Sequence, residues 1–246
     1  MSVLSHDFSV MRQSWRHLLF AHWSCSPNLL RPHLPEGLEL DTYEGRAWIG
    51  VVPFVMTKVR LNGWASVPGL SHFLELNVRT YVKAPDGTTG VWFFSLDCNQ
   101  SVAVKVARTF FKLPYYHAKM AMNHRASSIE YICQRQDQRS PVSDGTKSGW
   151  SYQPPTTFAP AQQGSLDAFL VERYVLFSQT KKNLYRGLVQ HEPYLIGTPT
   201  LESWDTEPLA WNGLPIFDHA PDHLCYSPQV DVRIFNLRAL ADPSIL

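Results

Sequence analysis

The chain has 246 residues, with 22 Lys plus Arg against 21 Asp plus Glu, a formal net charge of +1 and only 17% charged residues. The near-neutral balance lacks the basic surplus of a dedicated nucleic-acid binder. The 44% apolar and 13% aromatic content argues against disorder, and the longest apolar run, about Ile49 to Met56, falls short of the ~18 residues that suggest a membrane span.

The start, MSVLSHDFSV, has no basic segment followed by an apolar one, so no secretory signal is expected. Cys25, Cys98, Cys133 and Cys225 lie far apart without a Cys-x-x-Cys pair. Four free thiols in a reducing cytoplasm are the expectation. The absence of repeats and long linkers suits one domain over residues 1–246. A homo-oligomer is compatible with this reading.

Pro and Gly punctuate short apolar runs throughout, the pattern of a β-rich fold. Leu18 to Ser24 reads as a strand, and the Pro27 to Pro35 segment as one or two helical turns stopped by prolines. Arg46 to Val59 follows a turn at Tyr43-Glu44-Gly45. Its core, AWIGVVPFVM, is apolar on both sides and predicts a buried strand bent at Pro53.

Residues 73–82, FLELNVRTYV, alternate most clearly. Leu74, Leu76, Val78, Thr80 and Val82 share one face, and Phe73, Glu75, Asn77, Arg79 and Tyr81 share the other. A turn at Ala84-Pro85-Asp86-Gly87 and a return strand from Gly90 to Leu96 make a hairpin. Asn99 to Phe111 predicts a helix with Val102, Val106 and Phe110 at helical spacing, ended by Pro114. Ser127 to Cys133 and Gly149 to Gln153 read as strands, and Ala168 to Ser178 with Leu184 to Gln190 as a further hairpin. Glu192 to Pro228 reads as irregular, before a last strand from Val230 to Leu237.

The segments WRHLLFAHW (15–23), LRPHLPEGLELDTYEGRAWIGVVPF (30–54), ELNVRTYV (75–82), GVWFFSLD (90–97), ARTFFKLPYYHAKM (107–120) and FLVERYVLF (169–177) occur in order across most of the chain. In them the chain resembles the YqjF-like family of uncharacterised bacterial proteins. That family is similar in turn to the acetoacetate decarboxylase superfamily. The fainter likeness lies in Leu34-Pro35-Glu36-Gly37-Leu38, a following strand with a glutamate, and a helix leading to a proline and a residue pair.

The resemblance implies an α+β fold, mainly antiparallel, with a barrel-like or cone-shaped sheet, flanking helices and a small-molecule pocket. It places Glu75 at the pocket glutamate. The decarboxylases carry Pro-Lys-Lys after the helix, where one lysine forms a Schiff base and its neighbour lowers its pKa. The matching residues here are Pro114-Tyr115-Tyr116, and the family's arginine after the first strand falls on Ser24. A phenol forms no imine, so the resemblance implies loss of Schiff-base decarboxylation at this site.

The residues support two readings of function. In one, a non-catalytic protein binds a small molecule. In the other, Glu75 and Tyr115 serve as an acid–base pair on a small oxo acid or similar carbonyl compound. Asn77, Arg79 and Tyr116 are the candidate ligand-binding residues, with Arg79 suited to a substrate carboxylate. The bland alternative for the Glu75, Asn77 and Arg79 row is a solvated outer face. Lys105, Lys112 and Lys119 read as surface lysines, and His22, His117 and His191 as structural histidines. The Asp218-His219 and Asp222-His223 pairs have metal-ligand spacing but are interrupted by Pro221. No metal and no cofactor are therefore expected.

Overall fold

The computed structural model describes residues 9–61, 72–137, 139–140 and 145–240. The opening residues read above for a targeting signal, and part of the polar loop after Cys133, lie outside them. In chain order the elements begin with β1 (Met11–Cys25), α1 (Pro27–Leu30), β2 (Glu39–Leu40), β3 (Ala47–Leu61), β4 (His72–Lys83) and β5 (Thr89–Cys98). Then come α2 (Ser101–Phe111), β6 (Tyr115–Arg125), β7 (Ser128–Arg135), β8 (Ser148–Gln153), β9 (Ala159–Pro160) and α3 (Leu166–Val171). The chain continues through β10 (Val175–Gln179), β11 (Leu184–His191), β12 (Leu195–Ile196), β13 (Thr200–Ser203), α4 (Glu207–Ala210), β14 (His223–Ile234) and β15 (Arg238–Ala239).

The strands return on themselves. Going round, β4 pairs β5, β5 pairs β10, β10 pairs β11, β11 pairs β14, β14 pairs β1, β1 pairs β3, and β3 pairs β4. All are antiparallel except β5–β10. A wing of β6, β7, β8 and β13 leaves the ring at β5, where β6 joins in parallel. The sheet is mixed rather than purely antiparallel, and a few short helices flank it.

The two faces of the ring strands feed two separate cores. Leu18, Phe20, Val52, Phe54 and Phe73 turn to one. Leu19, Ala21, Val51, Leu76 and Val78 turn to the other, against Tyr131 and Trp150 of the wing. Burial on both sides explains why AWIGVVPFVM reads as a continuous apolar run. Pro53 is tolerated for a local reason. The β1–β3 ladder skips between Arg16↔Val55 and Ala21↔Val51, so on the β1 edge Pro53 lies in an interruption, where a residue without an N–H removes no ladder bond.

Several expectations are corrected. Tyr115 to Arg125, read as no element, is a full strand that completes the edge beside β5. Ala168 to Ser178 is not one strand. Ser165 caps α3 by accepting from the Ala168 N–H, and only then does β10 begin. The last strand starts at His223 rather than Val230, because β14 pairs with most of the long β1, out to His22↔His223. In α2 the expected stripe is rotated. Val104 is buried, whereas Val102 and Phe110 are 45% and 67% exposed. Lys112, in the left-handed region at φ 54°, ends that helix before Pro114 is reached. No helix among the described residues is long and apolar enough to cross a membrane.

Ring closure needs a glycine at β5. A Cβ on Gly90 would lie 2.4 Å from the Val175 carbonyl oxygen and 2.8 Å from the Phe177 ring. Gly90→Ala is therefore expected to destabilise the protein by about 1–3 kcal/mol through overpacking. A urea unfolding midpoint indistinguishable from wild type would contradict this account of closure.

Candidate ligand pocket

The ring encloses a cavity of about 230 Å³ on its inward face, with α2 along one side. Phe20, Phe54, Phe73 and Phe93 from the strands and Val106 and Ala107 from α2 give it apolar walls. Against these walls β4 supplies a polar row: Glu75, Asn77 and Arg79. They point the same way because strand side chains repeat every second residue, about 6.6–7 Å apart. Their exposures are 2%, 5% and 7%, so the row is interior and the solvated-face alternative does not hold.

Tyr115 joins the row from β6. Its hydroxyl donates to the Glu75 carboxyl at 2.8 Å, and the Tyr131 hydroxyl donates to the Glu75 backbone carbonyl at 2.8 Å. Burial pushes the Glu75 carboxyl up to about 8, only partly opposed by the Tyr115 hydrogen bond and reinforced by nearby Asp97. Burial, and then the neighbouring Glu75, push the Tyr115 phenol well above its ordinary value. At neutral pH the pair is a carboxylic acid beside a phenol. Tyr115 is thus suited to donating a hydrogen bond, not to serving as a base.

Tyr116 does not reach the cavity. As the next residue on a strand it faces the opposite way, under the Arg135 guanidinium at 4.2 Å. Arg135 itself holds both Asp97 carboxylate oxygens at 2.7 Å. The structure therefore brings together Glu75, Asn77, Arg79 and Tyr115 and leaves Tyr116 outside. Lys105, Lys112 and Lys119 are exposed, and no lysine lines the cavity among the described residues.

Two polar atoms in the row lack partners. Asn77 Oδ1 and Arg79 Nε are buried without a hydrogen bond. Arg79 Nη2 donates to the Leu170 carbonyl at 3.0 Å and to the Tyr81 hydroxyl at 3.3 Å. Arg79 makes no ion pair among the described residues, with Glu75 or any other carboxylate. Arg173, the other arginine at the cavity, is matched by Asp41 at 2.7 Å.

Sequence reading missed a hydrogen-bonded chain behind Arg79. The Tyr81 hydroxyl lies 2.7 Å from His22 Nε2. His22 Nδ1 lies 3.1 Å from His223 Nδ1, and His223 Nε2 lies 2.6 Å from Asp167. Asp167 is half-exposed, with 47% of its side chain accessible, so the chain links the cavity arginine to the surface. Burial, then His223 and Arg79, hold His22 well below the ordinary histidine range. His223, read with His219 as a possible metal pair, instead serves this chain. Residues 22, 81, 167 and 223 are brought together only by β1–β14 pairing and the packing of α3, which no local spacing announces.

This architecture is that of acetoacetate decarboxylase-like proteins. The acetoacetate decarboxylase of Legionella pneumophila superposes with a TM-score of 0.63 at 13% identity, over 99% of this chain and 92% of that one. The enduracididine biosynthesis enzyme MppR complexed with pyruvate gives the same TM-score and identity, over 98% and 93%. The chain belongs to the DUF2071 family, described as an uncharacterized conserved protein, whose model matches residues 12–231. It is 36% identical to the uncharacterized protein YqjF of Bacillus subtilis (strain 168) over 229 residues, 93% of this chain and 92% of the relative.

The Glu75 environment has a defined pH signature. Burial raises its carboxyl from the ordinary value of 4.5 to about 8 in the folded protein. The folded state therefore holds a proton that the unfolded chain releases between these limits, so this group's contribution to stability falls as pH rises from about 4.5 to 8. Glu75→Gln is expected to unfold with nearly wild-type stability at pH 5. By pH 8 it should gain on the order of a few kcal/mol relative to wild type. A constant difference across denaturant titrations at pH 5, 6.5 and 8 would refute this.

Proposed function

We propose that this protein binds a small organic molecule in the ring cavity, without a Schiff base. The supporting observation is the buried row of Glu75, Asn77 and Arg79 in a mostly apolar cavity that no lysine lines among the described residues. Ligand sites are typically concave and mostly apolar, with a few placed polar groups. Schiff-base chemistry needs a primary amine, and the resemblance to the decarboxylases implies that Tyr115 and Tyr116 stand at the position of their lysine pair. We infer a cytoplasmic location from four free, buried cysteines.

A second reading, catalysis, is favoured by one specific feature. The Glu75–Tyr115 pair at 2.8 Å includes a carboxyl whose pKa of about 8 suits proton transfer near neutrality. The MppR neighbour complexed with pyruvate makes small oxo acids the first substrates to try.

The primary test is a thermal-shift screen of metabolites on wild type and on Val106→Trp, which fills the cavity from α2. A ligand that raises the wild-type unfolding temperature is expected to leave the variant unmoved. Equal shifts in both proteins would place binding elsewhere. Borohydride treatment with pyruvate is expected to leave the protein mass unchanged, and a stable adduct on any lysine would overturn the non-covalent reading.

A further inference from the structure

Arg79 is the least compensated group in the cavity. It is 7% exposed, its Nε has no partner, and no described carboxylate pairs with it. Its hydrogen bonds go to neutral acceptors, the Leu170 carbonyl and the Tyr81 hydroxyl. A buried cation left in this condition is unfavourable, and an anion seated against it relieves the penalty. Among the described residues, none supplies that anion from within the cavity. Glu75 stands at the far end of the row and holds a proton at neutral pH, for the burial reason given above. Asp167 is reached only through Tyr81, His22 and His223.

The remaining surface limits what can carry the anion. Phe20, whose ring lies 5.3 Å from the Arg79 guanidinium carbon, Phe54, Val91 and Leu176 are among the wall residues. With Arg173 already matched to Asp41, one unmatched cation is available among the described residues. This suits a singly charged head group joined to a hydrocarbon body, not a phosphate dianion or a polyol.

We propose that the cavity takes an aliphatic monocarboxylate, with its carboxylate on the Arg79 guanidinium and its hydrocarbon chain against the apolar walls. A carboxylate matches the guanidinium as a charge-assisted acceptor. Asn77 Oδ1, also unpartnered and two residues earlier on the same face, is free to accept from a hydroxyl carried by such an acid. The proposal rests on the pocket reading above and names the ligand class for that pocket.

The test compares three eight-carbon probes, sodium octanoate, 1-octanol and octylamine, with pyruvate as a short acid. Each is titrated calorimetrically into the full chain at pH 7. Octanoate is expected to bind at least about tenfold more tightly than octanol, the increment of one hydrogen bond to a charged group. It should likewise exceed pyruvate, and octylamine should not bind. Arg79→Gln should reduce octanoate to the octanol level while retaining octanol binding, which shows the cavity intact.

Equal wild-type affinities for octanoate and octanol overturn the carboxylate assignment while leaving an apolar pocket standing. Tighter binding of pyruvate than of octanoate overturns the aliphatic body. Binding of none of the four overturns this proposal and the pocket reading beneath it. The wild-type series decides the matter by itself should Arg79→Gln fail to fold.

Discussion

Burial of β4 on both faces is the constraint from which the rest of the structure follows. Pairing with β3 on one edge and β5 on the other closes the ring at this strand. One face, Leu76 and Val78, is sealed by the wing that carries Tyr131 and Trp150. The other face has no such cover and becomes a wall of the cavity. A strand with Glu, Asn and Arg on one side is ordinarily stable because water solvates that side. Here closure removes the water, and each polar group must find another resolution.

The resolutions differ by chemistry. Arg135 and Asp97 neutralise each other through two parallel hydrogen bonds in a dry interior, the strongest geometry available to such a pair. Glu75 has no cation beside it, and a carboxyl can shed its charge by keeping a proton, so it does. A guanidinium has no such exit, because it does not deprotonate in proteins. Arg79 is therefore held by a carbonyl, a phenol and aromatic rings. Among the described residues it is the one cavity group whose charge is left over, which makes it the natural point of contact for a ligand.

Much of this was legible from residue order. The alternation in FLELNVRTYV identified both faces of β4 correctly, since a side-chain period of two survives any tertiary context. The hairpin with β5, the helix before Tyr115 and the free cysteines follow from turn chemistry, helical spacing and cysteine separation. The misreadings share a cause. MAMNHR, at the end of β6, has no strong alternation, and β6 is held as a strand by partners remote from any local signal, β5 along Tyr115 to His117 and β7 along Ala118 to Arg125. Tyr115 and Tyr116 read as a pair in the sequence, whereas adjacent residues on a strand face opposite ways.

The sequence by itself determined which side chains share a face, the aromatic and apolar supply for a large core, and the adjacent phenols of Tyr115 and Tyr116 after Pro114. These are properties of composition, periodicity and local motif. Only the tertiary structure decided that the Glu75, Asn77 and Arg79 face is interior, that Arg79 lacks a counter-charge, and that His22, Tyr81, His223 and Asp167 connect it to the surface. Solvation and charge compensation depend on which distant strands close around a residue, and ring closure joins segments as remote as β1 and β14.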